Sequence, residues 1–111
     1  MSELRKYTIE FLKVLADPTR LEILDQLKTS EKNASEIQEE LEKSQSTISK
    51  HLKMLVDNNL IEFEKKDNIK YYKIKNIDIF TLLSHINSTV ADINTERLKD
   101  LIDIDRNETL S

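Results

Sequence analysis

Residues 34 to 72, ASEIQEELEKSQSTISKHLKMLVDNNLIEFEKKDNIKYY, carry the pattern that most restricts the fold of this chain. They read as a short helix, a tight turn, a second helix and a two-stranded hairpin. Ser35 is placed to cap the first helix, with Gln38 three positions on completing a capping-box pattern. Ile37 and Leu41 lie one turn apart and give that helix a buried stripe. Glu42-Lys43-Ser44 forms the turn, and Ser44 is a natural N-cap for the helix that follows. In this second helix, Gln45 to about Asp57, residues Ile48, Leu52 and Leu55 recur at helical spacing and form one apolar face. Asn58-Asn59 ends it, because asparagine tolerates the left-handed conformation that a C′ position needs. Leu60 to Lys65 alternates apolar and polar residues, Asp67-Asn68 turns, and Tyr71, Tyr72 and Ile74 return as a second strand.

The outward side of the second helix is the informative one. At roughly 100° per residue, Ser46, Lys50 and Lys53 fall opposite the apolar face, flanked by Ser49 and, in the first turn, by Gln45 and Thr47. Hydroxyls and amides can pair with base edges, and small residues let a helix axis come close to the floor of a major groove. The first residues of a recognition helix are the ones that reach bases. Gln45, Ser46, Thr47 and Ser49 are therefore candidates for base-edge or adjacent contacts, and Lys50 for a base or a phosphate. Lys53 and the hairpin lysines Lys65, Lys66 and Lys70 suit the phosphate backbone, so replacing Lys65 or Lys66 is expected to weaken binding to all sequences alike and flatten the salt dependence. The expected fold class is mainly α with a small β-hairpin, a winged helix-turn-helix reading double-stranded DNA. A winged-helix protein-interaction module is the alternative; a partner-binding helix would carry aromatics or leucines on that face.

The net charge of −4 looks wrong for a DNA binder until it is divided along the chain. From Lys43 to Lys75 there are eight lysines and four acids, giving +4; the remainder, with nine basic and seventeen acidic residues, carries −8. The basic excess is confined to the helix-turn-helix and hairpin, and the local footprint is what DNA feels. The acidic run Glu36, Glu39, Glu40 and Glu42 reads as a solvated helix face turned away from DNA. Cysteine is absent, so thiolate metal sites and cysteine nucleophiles are excluded. No nucleophile–base constellation or Gly-rich phosphate loop points to an enzyme, and no cofactor is expected. No run nears 18 apolar residues and no signal-peptide pattern is present, from which a soluble, cytoplasmic chain without a membrane partner is expected.

At 111 residues, with no glycine and one proline, the chain is expected to be one largely helical domain over 1–104 with a flexible tail at 105–111. Within it lie the helix-turn-helix at 34–57 and the wing at 60–75. Residues 2–16 form a first helix with Leu4, Tyr7, Phe11, Leu12 and Leu15 on one side and Ile9 and Val14 off it. Such breadth points to a partner subunit or to a wide core-facing stripe. Asp17-Pro18 starts the next helix as N-cap and first-turn proline, with Leu21, Leu24 and Leu27 buried and Ile23 beside them; Thr29 to Asn33 reads as a polar loop. The last long helix, from about Ile77 to Ile93, places Phe80, Leu83, Ile86 or Asn87, Val90 and Ile93 on a heptad-like seam that two copies would bury. Asn94 or Thr95 can cap a further helix carrying Leu98, Leu101 and Ile102. Helices within 2–16 and 77–104 are the expected dimerisation elements.

FLKVLADPTRLEILDQL at 11–27, SQSTISKHLKMLVDNNLI at 44–61 and Tyr71-Tyr72-Lys73-Ile74 together resemble the ArsR/SmtB family of transcriptional repressors over roughly residues 8 to 76. The resemblance implies a homodimer built from the first and last helices, an inverted-repeat operator, and repression relieved by an effector whose identity the sequence leaves open. Metal-sensing members carry two cysteines around an ELCVCDL motif; here Asn33 and Ser35 stand in the thiolate positions, and neither is a ligand for soft metals. Other members bind zinc between their last helices through paired Asp and His residues. This chain offers His85 with Asp78 or Asp92, without the paired spacing, so no metal site is expected. A metal-responsive repressor with such a non-standard set stays as an alternative. His51, which the family also has at this point, lies about 60° from Ile48 at the edge of the buried face and reads as structural before it reads as a phosphate ligand. Of Tyr71 and Tyr72, at least one should be core.

Overall fold

The structure, a computed structural model, describes residues 2–101. The backbone divides into two compact units, one ending at Asn76 and the other starting at Ile77. The first holds α1 (Glu3–Leu15), α2 (Pro18–Leu27), β1 (Lys32–Asn33), α3 (Ala34–Leu41), α4 (Gln45–Asp57), β2 (Ile61–Lys66) and β3 (Ile69–Ile74). The second holds α5 (Asp78–Ile93), followed by helical residues 95–101. Ile102 and the tail expected at 105–111 lie outside the described residues.

The elements start and stop where capping chemistry dictates. Ser2 Oγ accepts from the Arg5 amide, Asp17 Oδ1 from the Arg20 amide and Ser44 Oγ from the Thr47 amide, so each cap satisfies one of the four orphan donors of its helix. With no glycine available, left-handed backbone falls to Glu42 (φ 54°), Asn59 (φ 62°), Asp67 (φ 53°) and Asn68 (φ 64°). Asn59 makes the reversal after α4. Asp67 and Asn68 make the two-residue hairpin turn, whose central residues both need positive φ if the strand twist is to match.

Three details differ from the sequence reading. The cap of α3 is Asn33, not Ser35: its Oδ1 accepts from the Glu36 amide while Glu36 Oε1 accepts from the Asn33 amide, a complete capping box two residues earlier than expected. The cause is the second difference. Lys32 and Asn33 are not loop but a third strand, paired antiparallel with Tyr72 and Tyr71 in a sheet ordered β1-β3-β2. The chain is thus extended through Asn33 and turns helical directly after it, and Ser35 is already inside the first turn. The third lies at residues 94 and 95. Neither caps forward: Asn94 Nδ2 donates back to the Val90 carbonyl, and Thr95 Oγ1 to the Asp92 carbonyl.

The core of the first unit gathers Val14 and Leu15 from α1, Ile23, Leu24 and Leu27 from α2, Ile37 from α3, Ile48, Leu52 and Leu55 from α4, and Leu60, Ile61 and Tyr72 from the sheet region. Ile23, expected beside the buried leucines of α2, is fully buried. In α1 burial does not divide the two apolar sides as read but falls at the C-terminal end of the helix, with Ile9 and Phe11 half-buried. Val14 and Leu15 are buried, whereas Leu4 (76 % exposed), Tyr7 (72 %) and Leu12 stand in solvent. On α5 the expected seam is likewise partly open: Phe80, Leu83 and Ile86 are half-buried, and Val90 and Ile93 are exposed. Such runs of exposed apolar side chains are uncommon on monomers.

Candidate nucleic-acid interface

Helix α4 buries Ile48, Leu52 and Leu55 to 1 % exposure or less, which fixes its rotation about its own axis. Gln45, Ser46, Ser49, Lys50 and Lys53 are exposed as that rotation requires. Thr47 differs. It is half-buried, and its hydroxyl accepts from Ser44 Oγ at 2.8 Å, so it belongs to the N-cap as much as to the outer face. Lys53 forms an i,i+4 ion pair with Asp57 at 2.7 Å, both side chains well exposed; such pairs exchange easily for another anion.

The hairpin register sorts the wing into two faces. Residues directly opposite share a face, so Ile61/Ile74, Phe63/Tyr72 and Lys65/Lys70 form one series and Glu62/Lys73, Glu64/Tyr71 and Lys66/Ile69 the other. The first runs from core to tip. Tyr72 is buried, and its burial pushes the phenol up from the ordinary value. Its ring meets Phe63 at 5.7 Å, and Lys70 Nζ lies 4.6 Å above the Phe63 ring. At the tip, Lys65 and Lys70 face each other. Like charges directly opposite repel, and an anion between them would relieve the strain. Ser35 and Asn68 lie beside this pair in a shallow groove.

Lys66 points to the other face and is not free. Its Nζ donates to Glu31 Oε1 at 2.6 Å, tying the wing to the segment before β1. That hydrogen bond holds the Glu31 carboxyl below the usual carboxylate range and raises the Lys66 ammonium above the usual lysine value. The sequence set therefore divides: five residues share the outer side of α4, Thr47 sits at its N-cap, Lys65 and Lys70 share the wing tip, and Lys66 is turned away from them.

A mostly covered arginine escaped the sequence reading. Arg20, with a side chain 12 % exposed, donates Nε to the Val14 carbonyl (2.6 Å) and Nη2 to the Lys13 carbonyl (3.2 Å), satisfying orphan acceptors at the end of α1. Its Nη1 lies 3.1 Å from His51 Nδ1 on α4 and 3.9 Å from Asp17 Oδ2. His51 is half-buried and meets Arg20, in keeping with a structural role. The signal was present, since Arg20 is the residue whose amide the Asp17 cap must meet, but nothing local says where a guanidinium will reach.

Asp17 is held below the ordinary carboxylate value, first by the hydrogen bond from the Arg20 amide and then by the charge of the Arg20 guanidinium, against the opposing effect of burial. A depressed folded value means stability that is complete above the unfolded value of about 3.9 and is lost as pH falls towards the folded one. Asn caps a helix as well as Asp but carries no charge. In urea titrations, Asp17→Asn should therefore be less stable than wild type at pH 7, with the gap closing at pH 3; a gap that is constant with pH would contradict this.

On α5, Asp78, His85 and Asp92 follow one another at seven-residue steps, about 10.5 Å of helix rise each, too far apart for one helix to bring two of them to one ion. Among the described residues no three His, Asp or Glu side chains are placed to hold a metal, and no helix is long and apolar enough to cross a membrane.

Residues 17–62 match the model of the arsR family of bacterial regulatory proteins. The arsenical resistance operon repressor of Staphylococcus xylosus is 43 % identical over 84 residues, which span 76 % of this chain and 77 % of that protein. The chain belongs to the ArsR family. It is a DNA-binding regulator of transcription with a winged helix-turn-helix fold. Among solved structures, Rv0081 of Mycobacterium tuberculosis superposes with a TM-score of 0.78 at 26 % identity, covering 88 % of this chain and 99 % of that one. The homodimeric winged helix-turn-helix DNA-binding domain of Mb0332 from Mycobacterium bovis does so with a TM-score of 0.72 at 28 % identity, covering 87 % and 93 %. In this ArsR-family chain the residue standing in the first thiolate position of metal-sensing members, Asn33, has its carboxamide engaged in the α3 capping box.

Proposed function

We propose that this ArsR-family protein is a homodimeric repressor that lays its two copies of α4 in successive major grooves of an inverted-repeat operator, with half-sites about 34 Å apart. The observation that carries this reading is the outer face of α4, where Gln45, Ser46, Ser49, Lys50 and Lys53 are exposed over an apolar side that is sealed. The repressor assignment follows the S. xylosus relative, and the homodimer follows the M. bovis domain. Exposed Leu4 and Tyr7 on α1, and Val90 and Ile93 on α5, supply apolar surface for a second copy to cover. A protein-interaction module without DNA binding is the weaker reading, because that face of α4 carries no aromatic or leucine. The S. xylosus relative is named for an arsenical resistance operon; this chain has no cysteine with which to bind arsenicals through thiolates.

Base reading falls to Gln45, Ser46 and Ser49, with Thr47 beside them at the cap and Lys50 between base and phosphate. Lys53, Lys65 and Lys70 hold the phosphate backbone. Lys66 steadies the wing through Glu31 and reaches phosphate only if that pair opens. A mobility-shift titration with the chain's own upstream region against random duplex tests the reading; equal affinity for both would overturn it. Lys65→Ala should weaken binding to both duplexes alike and lower the salt slope by about two for a dimer, one phosphate contact from each copy. An unchanged slope would remove Lys65 from the interface.

A further inference from the structure

We propose that Arg20 and His51 are positioning residues for DNA recognition: one guanidinium sets the pose of the recognition helix by donating to the Nδ1 lone pair of His51 while gripping the end of α1. The inference rests on the DNA-binding reading and adds to it residues that do not touch DNA.

The polarity of the contact is fixed by chemistry. Arginine has only donors, so in the 3.1 Å contact between Arg20 Nη1 and His51 Nδ1 the ring nitrogen accepts. The imidazole is then neutral, with its hydrogen on Nε2. The remaining edges of the guanidinium are taken by the carbonyls of Lys13 and Val14, and Asp17 stands 3.9 Å away as counter-charge. Three elements therefore meet at one planar group, and with its side chain 12 % exposed that group has little freedom to wander.

The place of His51 gives this knot its leverage. It follows Lys50 directly and lies two residues before Lys53, on the flank of α4 between the sealed face and the outer face. The apolar contacts of Ile48, Leu52 and Leu55 limit rotation of the helix but are non-directional, so they tolerate small slides along its axis. Hydrogen bonds to base edges tolerate about 0.5 Å and 10–20°. A directional bond at the edge of the outer face supplies what packing does not. Because the same guanidinium holds the end of α1, whose other side the dimer reading gives to the partner subunit, the pose of α4 is referenced to the helix that spaces the two half-sites.

The test uses the full chain and two substitutions at one position. In His51→Asn, Oδ1 stands where Nδ1 stood and can accept; in His51→Leu, a methyl group stands there and cannot. His51→Leu should lose roughly tenfold or more in affinity for the upstream region, as expected when a hydrogen bond to a charged group is removed, with affinity for random duplex and the salt slope unchanged. His51→Asn should recover most of the loss, although leucine is the better helix former. Thermal melts of both variants separate loss of fold from loss of pose, and Arg20→Lys, which keeps the charge but not the fork, should resemble His51→Leu. Equal affinity of His51→Leu and wild type would overturn the inference, as would an Asn variant no better than the Leu variant. So would a salt slope falling in His51→Leu, which would make His51 a phosphate contact. A wild-type chain that does not distinguish its upstream region from random duplex would overturn the DNA-binding reading itself, and this inference with it.

Discussion

Leu52→Ala will destabilise the fold by about 2–5 kcal/mol, the range for truncating a leucine in a core that cannot collapse around the gap. Leu52 is 1 % exposed, in the middle of the sealed face of α4. It is flanked a turn away on either side by Ile48 and Leu55, and the elements α4 meets, α2, α3 and β2, bring Ile23, Leu24, Ile37 and Ile61, all fully buried. A domain of this size has about 5–15 kcal/mol in total, so the loss is a large share of it. In urea the midpoint should fall by about 1 M or more with the slope unchanged, since typical slopes are about 1–3 kcal/mol per molar. Leu41→Ala is the internal contrast. That leucine shares a helical pattern with buried Ile37 but is only half-buried, and its truncation should move the midpoint by less. A Leu52 variant within about 0.5 kcal/mol of wild type would mean that α4 is not held as described, because only surface substitutions are ordinarily that mild.

The helix-turn-helix was legible because it is written in local rules. The period of Ile48, Leu52 and Leu55, the cap at Ser44 and the asparagine pair after Asp57 each act over four residues or fewer, and each stands in the structure as read. The hairpin was legible for the same reason: with alternation on either side, a two-residue turn at Asp67-Asn68 can set only one register. What escaped the sequence is non-local. Lys32 and Asn33 form two-residue β1 because β3, nearly forty residues later, offers them an edge. No propensity in KN announces a strand, and the displaced cap of α3 follows from it. The lysines show the same divide. Composition placed a basic excess on the wing, but only the register puts Lys65 and Lys70 on one face and turns Lys66 to the other, where Glu31, 35 residues away, meets it. The Arg20–His51 bond spans 31 residues and was equally invisible. The seams of α1 and α5 were legible as apolar and as surface for a partner subunit, but a period does not say which of their residues stand open; that depends on what the rest of the chain leaves uncovered.

Lys50→Ala should reduce affinity for the operator by roughly 5- to 150-fold per subunit, the equivalent of about 1–3 kcal/mol for each base-reading contact, and the pattern of the loss decides what Lys50 does. Its side chain leaves α4 on the side away from Ile48 and Leu52, and among the described residues no carboxylate lies within ion-pair distance of it. Lys53, one turn on, is bound to Asp57. On the proposed interface Lys50 would meet DNA without first giving up a partner, and it lies closer than Lys53 to the N-terminal end of the helix, the end that enters the groove in helix-turn-helix proteins. A base contact would relax preference at one operator position and leave the salt slope nearly unchanged, because no phosphate is neutralised. A phosphate contact would weaken every duplex equally and lower the slope by about one per subunit. Lys50→Glu separates either role from mere proximity. A carboxylate at that place would face the phosphates across a short gap, so its loss should exceed that of Lys50→Ala and deepen as salt is lowered, where repulsion is least screened. If both variants bound the operator as wild type does, the outer face of α4 would not be the surface that meets DNA, however well its side chains suit the task.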